Sequence, residues 1–174
     1  MMKQSRGLIQ VYTGDGKGKT TAALGLALRA AGQGMKVIVI QFIKGDPTCG
    51  EHLFAAQCPL FDIIQMNPKN SFVQTSEELK PTTEQTLALA EKTLLSGKYD
   101  VVILDEILVA INMGVVSTER ILNLISKKPE PTELILTGRG APEEIIKQAD
   151  LVTEMVAVKH PFTRGIKARR GIEY

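Results

Sequence analysis

Apolar and polar positions along the chain fall into short alternating blocks. Leu8–Tyr12, Lys36–Ile43, Phe61–Gln65, Val101–Leu104, Glu133–Thr137 and Leu151–Val158 read as strands. Val101–Leu104 is apolar without alternation, the mark of a strand covered on both faces. Between the strands, Thr21–Arg29 and Thr82–Ser96 carry helical patterns. The second places Leu87, Ala90, Leu94 and Leu95 on one side and stops at Gly97. Pro142 opens a further short helix through Gln148, at a position where its missing N–H costs nothing. The segment Asn67–Pro81 is polar and reads as a loop. No linker or repeat interrupts the alternation, so residues 1–174 are expected to form a single α/β domain. Its mainly parallel sheet would be flanked by helices and bind ligand at the carboxyl ends of the strands.

The turn after the first strand carries the chemistry. Thr13-Gly14-Asp15-Gly16-Lys17-Gly18-Lys19-Thr20-Thr21 stands between a strand and a helix, the context of a phosphate-binding loop. Glycines let backbone N–H groups crowd an anion, and the helix N-terminus adds partial positive charge. Gly14, Asp15, Gly16, Lys17, Gly18, Lys19, Thr20 and Thr21 are therefore the nucleotide-binding candidates. Lys19 can reach phosphates and the Thr20 hydroxyl can ligate Mg2+. The loop is one residue short of the common pattern, since Thr13 stands where the first glycine usually is. Lys17 inside it is either solvated charge or extra positive charge for a polyphosphate.

A second motif falls where a P-loop architecture needs it. Val101–Leu104 ends in Asp105-Glu106, two carboxylates at a strand's carboxyl end. Asp105 can hold Mg2+ beside the phosphates. Glu106 can contact the metal, orient a water or brace a neighbouring loop. Thr20, Asp105 and Glu106 are thus the metal candidates of a P-loop NTPase with a RecA-like sheet.

Charge is nearly balanced, 21 basic against 19 acidic residues, which argues against a strongly electrostatic nucleic-acid binder. No apolar run approaches the roughly 20 residues that span a membrane, and the N-terminal residues carry no secretory apolar segment. Cys49 and Cys58 are not spaced for a metal and fit ordinary thiols of a reducing cytoplasm. These features leave a RecA-like ATPase or small motor, a nucleotide sensor and a small-molecule kinase open.

Nearly the whole chain resembles the ATP:corrinoid adenosyltransferases of cobalamin biosynthesis and salvage. The resemblance rests on Gly14–Ala23, Gln41-Phe42-Ile43-Lys44-Gly45, Gly50-Glu51, Leu104-Asp105-Glu106, Leu136-Thr137-Gly138-Arg139 and Ala149–Met155. The tail segments Val158–Phe162, Gly165–Arg169 and Gly171–Tyr174 complete it. It implies transfer of the 5′-deoxyadenosyl group from MgATP to a cob(I) corrinoid, with triphosphate leaving. It also implies a nucleotide bound in reverse, an electron donor that reduces cob(II), and a homodimer. Lys17, Lys19 and Arg29 would neutralise charge on the leaving triphosphate. Arg29 matches a family arginine in the helix after the loop, and otherwise reads as an exposed helix arginine.

The chain departs from the family in its corrinoid loop. Where relatives commonly carry Gly-Phe-Thr-Trp, this sequence has Ser71-Phe72-Val73-Gln74, and it contains no tryptophan. Phe72 is the candidate corrinoid wedge, displacing the lower axial ligand of cobalt, or else a minor core anchor.

Overall fold

A computed structural model describes residues 6–68 and 74–174. Six strands form one sheet: β1 (Ile9–Thr13), β2 (Val37–Gln41), β3 (Asp62–Gln65), β4 (Val101–Asp105), β5 (Glu133–Thr137) and β6 (Leu151–Glu154). Their order is β3-β2-β4-β5-β1-β6, and every neighbouring pair is parallel. The helices are α1 (Lys19–Gly32), α2 (Gly50–Gln57), α3 (Ser76–Leu95), α4 (Ile107–Asn112), α5 (Thr118–Ser126) and α6 (Glu143–Gln148). This is the α/β, RecA-like P-loop architecture that the alternating pattern implies. Among the described residues, no helix is long and apolar enough to cross a membrane.

The central strands are buried on both faces, and their alternation sorts them into two layers. Val11, Ile38, Ile40, Val102, Leu104, Leu134 and Leu136 pack with Leu79, Leu87, Ala90 and Leu94 of α3 and with α4, α5 and α6. Val37, Val39, Val101, Ile103 and Ile135 face Ala23, Ala27 and Ala30 of α1. The alanines let α1 lie close on the sheet, which brings its first residue, Lys19, against the strand ends. Each fully buried Leu or Ile contributes about 1.5–3 kcal/mol by leaving water.

Several elements differ from the sequence expectation. The expected loop Asn67–Pro81 already gives way to α3 at Ser76. Thr75 caps that helix by accepting from Glu78 N–H, while the Glu78 side chain accepts from Thr75 N–H. This capping box and the burial of Leu79 outweigh the backbone hydrogen bond that Pro81 forgoes inside the helix. Helices α2, α4 and α5 were not anticipated from the sequence, although Ile121, Leu124 and Ile125 give α5 a buried apolar face. Strand β2 ends at Gln41 and not at Ile43, because Ile43 turns the chain at φ 63°. Strand β6 ends at Glu154 and not at Val158: Met155 N–H still donates to the Thr13 carbonyl, but the Met155 carbonyl accepts from Gly16 of the P-loop.

Candidate active site

Four central strands each end in a buried polar residue: Thr13 on β1, Gln41 on β2, Asp105 on β4 and Thr137 on β5. Register aligns them, since Gln41 lies opposite Asp105, Leu104 opposite Leu136 and Tyr12 opposite Thr137. A row of polar groups at the end of an otherwise apolar sheet is the floor of a site.

The P-loop arches over that floor between β1 and α1. Gly14 has φ 93°, and a Cβ there would lie 2.5 Å from the Met155 carbonyl oxygen. At Gly16 a Cβ would lie 2.6 Å from the same oxygen, which accepts the Gly16 N–H at 2.6 Å. The segment after β6 therefore shapes the loop from behind, and only glycine fits. Lys19 Nζ folds back to donate to the Gly14 and Gly16 carbonyls, both at 2.7 Å. Burial lowers its pKa, Glu106 opposes that shift and Arg139 adds to it. Lys17 is more exposed and pairs with Glu173 at 3.2 Å, tying the C-terminal segment to the loop. Hydrogen bonds from the Arg169 side chain and backbone, with a lesser one from Lys17, hold the Glu173 carboxyl down at about 2. Asp15 and Thr21 are exposed on the loop and the first turn of α1.

Asp105 is the hub. Its Oδ1 accepts from Thr20 Oγ1 at 2.9 Å and Thr137 Oγ1 at 2.7 Å. Its Oδ2 accepts from Lys44 Nζ at 2.8 Å and Gln41 Nε2 at 3.1 Å. The carboxylate is fully buried, so saturation by four donors is what makes its charge tolerable. Thr20 and Asp105, predicted metal ligands, are thus in direct contact. Glu106 follows at φ 63° and anchors its N–H to Thr137 Oγ1 at 3.0 Å. Burial and the Asp105 charge raise the Glu106 pKa, against Lys44, Lys19 and Arg139.

Sequence reasoning missed Gln41, Lys44, Glu51, His52 and Thr137 as individual site residues. Lys44 Nζ also lies 3.3 Å from Thr20 Oγ1 and 3.6 Å from Glu51 Oε1. Burial alone would lower its pKa, but Asp105, Glu51 and Glu106 raise it overall. Gln41 Nε2 donates to Asp105 at 3.1 Å and also reaches Glu51 at 3.3 Å, which leaves its Oε1 facing His52 Nε2 at 2.7 Å. Two carboxylate acceptors fix which end of the amide carries hydrogen, so His52 carries its proton on Nε2. Burial depresses the His52 pKa, with Glu51 opposing. The readable signal was an apolar strand closing on a polar residue, as in Val37–Gln41 and Glu133–Thr137.

Two predicted residues lie apart from this cluster. Arg29 is exposed in the last turn of α1, about 15 Å along the helix from Lys19. Phe72 lies outside the described residues. Gln74, where relatives have tryptophan, accepts from Asn67 Nδ2 at 2.8 Å, and the same amide donates to the Ile43 carbonyl at 2.7 Å. Beside them, a groove of about 450 Å³ is lined by Pro47, His52, Ile63, Gln65, Met66 and Asn67, among others. Gln65 Oε1 and Asn67 Oδ1 are buried there without a partner among the described residues.

A family model described as ATP:corrinoid adenosyltransferase BtuR/CobO/CobP matches residues 5–174. The chain belongs to that family. Curated relatives agree. The corrinoid adenosyltransferase of Pseudomonas aeruginosa is 36% identical, over 99% of this chain and 86% of its own. That of Escherichia coli K12 is 36% identical, over 99% and 88%. The corrinoid adenosyltransferase CobA of Salmonella typhimurium is 35% identical, over 99% and 88%. With an enzyme of cobalamin synthesis or salvage established, the motor, sensor and kinase readings fall away.

Proposed function

We propose that this single-domain enzyme transfers the 5′-deoxyadenosyl group of MgATP to the cobalt of cob(I)alamin or cob(I)yrinic acid a,c-diamide. The cobalt lone pair attacks C5′, a cobalt–carbon bond forms, the C5′–oxygen bond breaks, and triphosphate leaves with the bonding pair. The observation that carries this reading is the contact of Thr20 with Asp105 at 2.9 Å directly below the P-loop. It gives a triphosphate and a divalent cation one shared seat.

The residues fit Mg2+. Hydroxyl and carboxylate oxygens are its preferred ligands, and the cationic Nζ of Lys44 already contacts both groups at 3.3 and 2.8 Å. Mg2+ would be held by Thr20 and Asp105, with Glu106 beside them, and would stabilise charge on the departing triphosphate. Lys19 exchanges its two loop carbonyls for phosphate oxygens. Lys17 adds charge once released from Glu173, and Arg29 is the third basic candidate. Gly14 to Thr21 supply the backbone cradle.

The corrinoid lies toward the loop after β3, with Phe72 as its wedge. The side-chain carbonyl oxygens of Gln65 and Asn67, without a partner among the described residues, suit the amide N–H groups of the corrinoid rim. A one-electron donor must reduce cob(II) to cob(I), and a reducing cytoplasm fits that demand. Exposed Val156, Val158 and Phe162 support assembly as a homodimer. An anaerobic assay with ATP, Mg2+ and pre-reduced corrinoid tests the reading. It expects the spectrum of a cobalt–carbon product together with one triphosphate per turnover, and ADP as the product would overturn it.

A further inference from the structure

Asp105 draws its four donors from two kinds of place. Gln41 and Thr137 end the strands on either side of β4, and the sheet register fixes them. Thr20 and Lys44 come from the start of α1 and the loop after β2. Lys44 Nζ touches Asp105 at 2.8 Å, Thr20 at 3.3 Å and Glu51 at 3.6 Å. The ammonium therefore stands against the two groups that suit a divalent cation.

The backbone is bent to put it there. Ile43, buried and β-branched, adopts φ 63°, and Lys44 N–H donates back to the Phe42 carbonyl at 2.5 Å. A left-handed conformation is unfavourable for a branched residue and persists only where its surroundings enforce it. Here Asn67 Nδ2 holds the Ile43 carbonyl at 2.7 Å, and Gln74 holds Asn67 at 2.8 Å. This reverse turn aims Lys44 back over the end of β2 toward Asp105.

We propose that Lys44 is a tethered counter-ion, a positioning residue whose ammonium keeps the metal position in the nucleotide-free protein and moves to triphosphate oxygens when nucleotide binds. The inference rests on the MgATP reading above. A buried carboxylate without a counter-charge is costly, so the lysine keeps Thr20 and Asp105 in place until metal arrives. Gln41 and Thr137 stay bound to Asp105 throughout, and only the contacts of Lys44 and Thr20 are remade. Metal and ammonium then compete in the absence of nucleotide. Triphosphate relieves that competition by offering the ammonium another anionic partner. Metal and nucleotide binding are therefore positively coupled, and Lys44 is the source of part of the coupling.

The test is Mn2+ binding to the full chain, read by the electron paramagnetic resonance of free Mn2+, with and without tripolyphosphate. Wild type is compared with Lys44→Met and Lys44→Arg. Removing the competing ammonium is expected to tighten nucleotide-free Mn2+ binding about ten- to hundredfold, the range of one charge-assisted hydrogen bond. The coupling between Mn2+ and tripolyphosphate should fall by a similar factor. Lys44→Arg, which keeps the charge, should stay close to wild type. In melting experiments without nucleotide, Mg2+ should stabilise Lys44→Met far more than wild type. Should Lys44→Met misfold by circular dichroism, Lys44→Gln takes its place. Nucleotide-free Mn2+ affinity within about twofold of wild type in the uncharged variant would overturn the proposal. Wild-type tripolyphosphate binding that ignores metal altogether would instead overturn the MgATP reading, and the Lys44 role with it.

Discussion

Thr137→Val removes the hydroxyl that joins β5 to both Asp105 and Glu106. Valine keeps the shape of threonine, so packing in the buried β5 strand changes little. Two hydrogen bonds disappear. Thr137 Oγ1 no longer donates to Asp105 Oδ1 at 2.7 Å, and Glu106 N–H loses its acceptor at 3.0 Å. A hydrogen bond to a charged group is worth about 1.5–3 kcal/mol, and a stranded buried N–H costs about 1–3 kcal/mol. Allowing for partial relaxation, the expected loss of stability is about 2–4 kcal/mol. For a chain of this length that lowers Tm by about 5–15 °C. Glu106 needs its anchor more than most residues do, because it sits at φ 63° at the head of α4. The Mg2+ concentration giving half-maximal adenosylation should therefore rise, since Asp105 loses one of its four donors. The measurements are thermal melting by circular dichroism and an Mg2+ titration of the anaerobic assay. Thr137→Ser, which restores the hydroxyl, should recover both. A melting point within about 1 °C of wild type and an unchanged Mg2+ requirement would refute the reasoning.

Other outcomes follow from the same geometry. Lys19→Ala should weaken ATP binding by about one to two decades, the worth of a charge-assisted phosphate contact, and Asp105→Asn should raise the Mg2+ requirement and slow turnover; normal kinetics in Lys19→Ala would refute the P-loop assignment. Phe72→Ala should leave ATP affinity nearly unchanged and slow adenosylation more when cob(II) is supplied than when cob(I) is. Equal slowing from both cobalt states would reassign Phe72 to packing or general corrinoid binding. His52 has a depressed pKa, so its contribution to stability is full above the unfolded value of about 6.5 and is lost as pH falls through the lower folded value. Its imidazole NMR titration should have a midpoint below that value, and His52→Gln should flatten the stability change between about pH 7 and 5. A midpoint at or above the unfolded value would contradict the burial argument.

The sequence by itself determined the architecture and the two anchors of the site. Buried parallel strands must be apolar on both faces, so Val101–Leu104 and Leu134–Leu136 announce themselves. A phosphate loop needs its glycines and lysine at fixed offsets, so Gly14–Thr20 is equally plain. Gln41, Glu51 and Thr137 were already present within the family-like segments, but their chemistry was not. Thr137 matters because β5 lies between the P-loop strand and the Asp105 strand, an order that no local pattern encodes. Lys44 matters because Ile43 turns left-handed, which its branched side chain argues against and Asn67 enforces from another strand's end. Helix α3 begins at Ser76, five residues before Pro81, since a capping box is decided by two side chains and a buried leucine, not by the proline that signals a break. Arg29, reached by resemblance, lies at the far end of α1. Periodicity and motif spacing are local quantities and survive in one dimension. The four donors to the buried carboxylate come from three separate stretches of chain, and only the folded sheet brings them within hydrogen-bonding distance.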